Sequence, residues 1–323
     1  MNHVAWALAV LSLLGSCNPT SSRPMPEPAS IDIDATPIPL DPRDTGVNRI
    51  GAFEYAGGLE IRAVTPDVVL ELSDLRIGEG GRVFSVSDAG SFFEARLELD
   101  GAGRLTGLTD ARTIPLVGTR GERLAGRDAD AEGLDFLPNG DRLVSFEGAH
   151  RIWRYPADGS LPRPVPIPES DFPGNTGMEA LTFYPTAATD AYLVGGEEGA
   201  IWLCRLSSAC RATELGRHVP EGLSPTALAA FGPNGDFALL TRAYDPARGV
   251  RISLKLIRTA DDPAGRVLDE MTMAPPLSVD NFEGVAVVPD ANGLRLYLVA
   301  DDNGSSTQRT LLLAFDWQAN RRD

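Results

Sequence analysis

Asp130-Ala131-Glu132-Gly133-Leu134, Gly177-Met178-Glu179-Ala180-Leu181 and Asn281-Phe282-Glu283-Gly284-Val285 each place a glutamate and then a small residue at the head of a hydrophobic run. Glu132 and Glu179 are 47 residues apart, and Glu283 follows after 104, about twice that interval. A degenerate copy, Ser224-Pro225-Thr226-Ala227-Leu228, fills the gap with threonine in place of the carboxylate, and a weaker one, Leu72-Ser73-Asp74-Leu75, lies 59 residues before Glu132. Strand-like units recurring at such a period indicate an all-β repeat architecture, a single β-propeller. The visible copies and the longer intervals lead to six blades, with five as the alternative.

Turn signals separate each phrase from a second strand: Pro138-Asn139-Gly140-Asp141, Pro233-Asn234-Gly235-Asp236 and Pro289-Asp290-Ala291-Asn292-Gly293. The strands that follow include Arg142–Phe146, Phe237–Thr241 and Arg295–Val299. Propellers close by pairing an N-terminal strand with the last blade, and Arg49–Phe53 with Gln308–Trp317 are the expected seam. In a propeller the first strand of each blade lines the central channel, so Glu132, Glu179 and Glu283 are expected to face one axis from different blades. The second strands end in a second acidic set, Asp88, Glu147, Glu197, Glu198, Asp301 and Asp302 with Asn303, whose convergence does not follow from strand pairing alone.

The chain carries a formal net charge of −16, and its 29 basic residues include a single lysine, Lys255. Such a surface repels nucleic acid and anionic membranes, and it repels an anionic substrate unless a cation sits in the site. Several carboxylates converging on one point favour a bound cation for the same reason.

Residues 1–17, MNHVAWALAVLSLLGSC, read as an export signal, because the apolar run Val4–Leu14 is too short to span a bilayer and ends in small residues. Leu14-Gly15-Ser16-Cys17 resembles the lipobox of bacterial lipoproteins, which implies lipidation of Cys17, a cell-envelope location facing the periplasm in a Gram-negative cell, and membrane contact through the anchor alone. Residues 18–44 contain seven prolines and few large side chains and read as an extended, disordered tether, so the domain is expected over 45–323, as a monomer. Cys204 and Cys210 flank a short loop after a strand-like segment, a spacing that suits a disulfide-closed hairpin; two reduced cysteines are the alternative.

Phe84-Ser-Val-Ser-Asp88 with Gly90, Asp130–Leu134, Val144-Ser-Phe-Glu147 with His150-Arg-Ile152, Asp280–Gly284, and Asp301-Asp-Asn303 with Gln308-Arg-Thr310 together resemble the phytase-like domain family, often labelled as esterase-like activity of phytase. The resemblance runs from about Gly51 to Trp317. The glutamate phrases and Glu197-Glu198-Gly-Ala-Ile-Trp202 are also similar to the more distant β-propeller phytases, in which carboxylate-held calcium ions bind substrate phosphates and activate water. Carried over, this implies Ca²⁺ ligation by Glu132, Glu179 and Glu283, then Asp130, Asn281, Glu147, Glu198 and Asp302, and hydrolysis of a phosphate ester or related small anionic ester. Arg151, Arg242 and Arg309 are the candidate anion contacts, and His150 is the candidate general acid or base. Two positions depart from the family: Ala89 stands where an arginine is common, and Thr226 replaces a carboxylate. No Gly-x-Ser-x-Gly elbow supports a serine esterase. A non-catalytic ligand- or protein-binding propeller of the envelope and a lactonase or carboxylesterase of the single-calcium type are the competing readings.

Overall fold

A computed structural model describes residues 25–173, 176–186, 188–290 and 293–318. Five antiparallel sheets stand around a central axis as the blades of a propeller. Blade 1 is Leu72–Gly78, Arg82–Ser87, Ser91–Leu99 and Leu105–Pro115, and blade 2 is Ala131–Phe136, Arg142–Phe146, Arg151–Tyr155 and Arg163–Val165. Blade 3 comprises Ala180–Phe183, Ala191–Gly195, Ile201–Arg205 and Ser208–Ala212, and blade 4 comprises Ser224–Phe231, Asp236–Asp245, Gly249–Arg258 and Arg266–Met273. Blade 5 is Asn281–Asp290, Gly293–Asp301 and Thr310–Trp317, completed by the N-terminal strand Phe53–Ala63.

The blade count is thus the smaller of the two numbers that the repeat left open. The long intervals before Glu132 and Glu283 hold no extra blade. They are taken up by strands of 9 and 11 residues in blade 1 and by the paired 10-residue strands of blade 4. The seam pairs Trp317 with Phe53 and Thr310 with Ile61, so the closing strand starts where the expected one ends, and Arg49–Ile50 forms a short arm on Phe53–Glu54.

The tether reading of 18–44 is corrected over its described part. Ala29–Ser30 pairs with the outer strand of blade 1, Ile33–Pro37 pairs with Phe53–Ala63, and Leu40 is fully buried. Proline-rich chain is already extended, and at the outermost edge of a sheet its missing N–H groups face away from the ladder, so the composition that opposes an independent fold still permits strand addition. Residues 18–24 and the export signal lie outside the described residues.

Hydrophobic side chains fill the wedges between neighbouring blades. Leu254, Leu256, Leu313 and Phe315 belong to the wedge between blades 4 and 5, and Phe92, Leu134, Val144 and Phe146 to the wedge between blades 1 and 2. The inner strands bury both faces between flanking blades, which is why they read as unbroken apolar runs and not as alternating ones.

The glutamate phrase is the signature of a β-bulge. In blade 2 the pairing passes from Gly133 opposite Ser145 to Ala131 opposite Phe146, skipping Glu132; blades 4 and 5 skip Thr226 and Glu283 in the same way. A bulge adds an unpaired residue and re-aims its side chain. The following residue must be small because the neighbouring inner strand lies against it: a Cβ on Gly284 would stand 2.6 Å from the Asp74 carbonyl carbon, and one on Gly133 would stand 2.7 Å from Leu181 Cβ. Gly284→Val is therefore expected to lower stability by about 1–3 kcal/mol. A urea midpoint unchanged from the parent would show that the inner strands are not packed this closely.

Candidate functional site

Bulges deliver Glu132 and Glu283, and the position just before the blade 3 inner strand delivers Glu179, to one end of the channel, the mouth, where all three are buried. Carboxylate oxygens of Asp88, Glu132 and Glu283 lie within 4.8 Å of one another, as do those of Asp130, Glu132 and Glu147, and those of Glu147, Glu179 and Glu197. Glu132 and Glu147 are shared, so the three groups join into one strip of seven carboxylates from blades 1, 2, 3 and 5. Blade 4 contributes a cation instead. Arg242, in its second strand and opposite Ser224 at the head of the inner one, meets Glu283 Oε1 at 2.7 Å, and Asn281 Nδ2 donates to the same oxygen at 2.6 Å. Ser73 donates to Asp88 Oδ1 at 2.8 Å or Glu283 Oε2 at 3.1 Å, so the weak first copy of the phrase supplies a hydroxyl where the three glutamate copies supply a carboxylate. Thr226 donates to the Phe282 carbonyl and turns away from this role.

Electrostatics follow from the crowding. Burial, reinforced by neighbouring carboxylates, raises the pKa values of Asp88, Glu132 and Glu179 well above the usual carboxylate range. Burial and then Asp130 push Glu147 up to about 7, while burial and then Glu283 push Asp301 up to about 8. Between the unfolded carboxylate range and these values, the folded chain holds more protons than the unfolded one. The corresponding stability is present at low pH and is lost as pH rises through the folded values. With a chelator present, stability should accordingly decline as pH rises from about 5 to about 8. A flat denaturant midpoint over that interval would contradict it.

The donor set fits a hard divalent cation: it is all oxygen, it is crowded, and Asp301 Oδ1 is buried with no hydrogen-bond partner. Of the residues that the resemblance nominated as ligands, Glu132, Glu179, Glu283, Asp130 and Glu147 come together. Asn281 acts through its bond to Glu283. Glu198 does not join them. The turn Gly196–Gly199 sends its two glutamates apart, so that Glu197 enters the strip while the Glu198 carboxylate lies back against Gly196. Asp302 is engaged locally, accepting from Gly304 N and Thr310 Oγ1.

Two of the three candidate arginines have other partners. Arg151 stacks over Phe146 and Trp153 and donates to the carbonyls of Ala149 and Asp128, and Arg309 pairs with Asp280 at 3.3 Å. His150 sits beside Phe172 with ring centroids 5.2 Å apart, and its Nδ1 is buried without a partner. Cys204 and Cys210 are joined in a disulfide at the outer edge of blade 3, away from the mouth.

Beneath the carboxylates Arg76 crosses the axis. Its Nη1 donates to Asp74 Oδ1 at 2.7 Å and to the Val285 carbonyl of blade 5 at 3.2 Å. Nη2 donates to the carbonyls of Leu181 in blade 3 at 2.5 Å and Leu228 in blade 4 at 3.0 Å, and Nε faces Asp135 Oδ1 of blade 2 at 3.1 Å. One guanidinium thereby ties together the inner strands of all five blades. Asp74 Oδ2 in turn accepts from Leu134 N, and Asp135 Oδ2 accepts from Thr182 Oγ1 and Phe183 N. Asp88, Glu197, Asp301 and the Arg76 hub were not among the nominated site residues; of the second acidic set, Asp88, Glu147 and Glu197 join the strip and Asp301 feels the charge of Glu283, while Glu198 and Asp302 stay outside it.

Residues 68–304 match the family described as "Phytase-like: Esterase-like activity of phytase", a span that contains the inner strands of all five blades. The chain belongs to the Phytase-like family. No curated protein matches this Phytase-like chain. Among solved structures it is similar to the major allergen Mala s 1 of Malassezia sympodialis, at 15% identity and a TM-score of 0.47 over 90% of this chain and 96% of that one. Virginiamycin B lyase from Staphylococcus aureus aligns at 12% identity and a TM-score of 0.42 over 88% and 99% of the two chains. The PQQ domain of pyranose dehydrogenase from Coprinopsis cinerea aligns at 8% identity and 0.44 over 88% and 97%.

Proposed function

We propose that this Phytase-like propeller is an exported hydrolase that cleaves a phosphate ester or related small anionic ester at the channel mouth with the help of Ca²⁺. The observation that carries this reading is the strip of seven carboxylates, three overlapping groups buried or half-buried, facing one guanidinium from blade 4. A structural role for buried acids requires donors, and donors serve Glu283 and Asp88, whereas the crowding at Glu132 and Glu179 leaves like charges to be offset.

Glu132, Glu147, Glu179 and Glu283, with Asp88, Asp130 and Glu197, would hold the metal. Bound there, Ca²⁺ supplies charge neutralisation for an anionic substrate and acidifies a water for attack. Arg242 would bind the substrate anion, because Glu283, itself held by Asn281, fixes its head group at the rim of the strip. Glu132 and Glu179 would orient the attacking water and accept its proton. The amino-terminal sequence supports export, with lipidation at Cys17 as the anchor.

Chelation should abolish phosphomonoesterase activity, and added Ca²⁺ should restore it. A calorimetric titration with Ca²⁺ should show saturable binding. Full turnover in chelator rejects the metal-assisted mechanism. A silent titration with no turnover favours a ligand-binding propeller, and cleavage of a lactone but no phosphomonoester favours the single-calcium lactonase type.

A further inference from the structure

The amino-terminal segment reaches the propeller at a fixed place. Met25 N donates to the Gly159 carbonyl at 3.2 Å, and the Met25 side chain packs on the wedge that holds Phe84, Phe92 and Tyr155. Gly159 lies in the turn between Arg151–Tyr155 and Arg163–Val165. That turn is at the end of blade 2 opposite Glu132, because Tyr155 pairs with Arg142, which pairs with Phe136 at the far end of the inner strand. From there the chain pairs Ala29–Ser30 with blade 1 and Ile33–Pro37 with the closing strand of blade 5, and Leu40 accepts from Ser278 N in the crossover between blades 4 and 5. This strap pins the entry point to the floor of the propeller, at the seam of blades 1 and 2.

The leash upstream of that point is short. Cys17 and Met25 are eight residues apart, a reach of at most about 28 Å when fully extended. The six residues of Ala131–Phe136 alone span about 20 Å from mouth to floor, and the mouth loops stand beyond them. A leash run straight up the side of blade 2 would be almost spent before the mouth met the lipid. Charge points the same way. Three guanidiniums, of Arg82, Arg112 and Arg142, converge on the single carboxylate of Glu94 at the seam of blades 1 and 2, with Arg82 and Arg112 47% and 43% exposed. Nearby Asp110 and Asp141 are each paired, with Arg96 and Arg154. Carboxylates gather instead at the opposite end, where Arg242 meets them.

We propose that the floor of blades 1 and 2 is the face that rests on the phospholipid surface, so that the acidic mouth opens away from the membrane. This rests on the reading of Cys17 as the lipid anchor. It does not depend on the chemistry at the mouth. The mouth, with its strip of carboxylates, is thereby spared the repulsion that proximity to anionic headgroups would impose.

The full lipoprotein in vesicles containing a headgroup-spin-labelled phospholipid tests this, with a fluorophore placed either at Ala157→Cys in the floor turn of blade 2 or at Ala247→Cys in the mouth-side hairpin of blade 4. Severalfold stronger quenching at position 157 than at 247 is expected. Equal quenching, or stronger quenching at 247, overturns the orientation. Mass spectrometry of the amino-terminal peptide reads the anchor separately: an unmodified Cys17 sinks the anchor reading and this proposal with it.

Discussion

Arg76→Met is expected to destabilise the propeller by about 3–5 kcal/mol, the cost of stripping a buried ion cluster of one member. Three consequences combine in that figure. Asp74, fully buried, loses its counter-ion, and Asp135 loses one as well. The carbonyls of Leu181, Leu228 and Val285 lose a donor at the axis, where the inner strands leave few alternatives. Methionine fills the volume but offers no hydrogen bond. Against a total stability of about 5–15 kcal/mol for an ordinary domain, the loss is large enough to read directly from a urea melt.

The loss should also depend on pH. Burial already pushes Asp74 up to about 7 with Arg76 present, and removing the guanidinium raises it further. A carboxyl whose folded acidity is weaker than its unfolded one gives stability at low pH that disappears as pH rises through the folded value. The variant should therefore be nearer to the parent at pH 5 than at pH 8. Arg76→Lys keeps a charge but not the planar fork that reaches several carbonyls, and it should fall between the two. A melt within about 1 kcal/mol of the parent for Arg76→Met would show that the axis does not bear the load its contacts suggest.

What the sequence made legible was the part of the site that repeats. Glutamate followed by a small residue recurs because the head of each inner strand aims a side chain at the channel, in a bulge at Glu132 and Glu283, and leaves its neighbour no room for a large Cβ, so Glu132, Glu179 and Glu283 could be placed on one axis from the sequence. Blade number was harder, because long strands and a missing blade stretch a repeat interval alike, and only pairing separates them. Arg76 was hidden by the same logic that revealed the glutamates. Its segment scans as a decayed copy, yet the asymmetry lets one long side chain serve five strands. Adjacent residues in a turn, such as Glu197 and Glu198, cannot be told apart by spacing, since the turn decides which of them enters. The strap at residues 29–37 misled through composition, because proline content reports what a segment does alone and not what an exposed sheet edge offers it.

Glu132→Gln should have effects of opposite sign on function and on metal-free stability, and that pairing makes it the most informative change at the mouth. Glu132 belongs to two of the three carboxylate groups, so neutralising it removes charge from both at once. Ca²⁺ affinity is expected to drop by at least about 100-fold, the upper end of what even indirect metal partners contribute, and phosphomonoesterase activity should fall in step. Glutamine preserves shape and both faces of the bulge, so packing is not the cause. In chelator the same variant should be more stable than the parent at pH 8. Burial and the nearby Glu179, Asp88 and Glu283 make an ionised Glu132 costly there, and the amide carries no charge to repel them. At pH 5, where the parent's carboxyl holds its proton, the two melts should converge. A purely structural glutamate, bonded to backbone donors, predicts the reverse: a loss of stability at every pH on substitution and no change in calcium binding. If Glu132→Gln melts lower in chelator at pH 8 and titrates with Ca²⁺ as the parent does, the mouth is a structural cluster and its chemistry must be sought elsewhere.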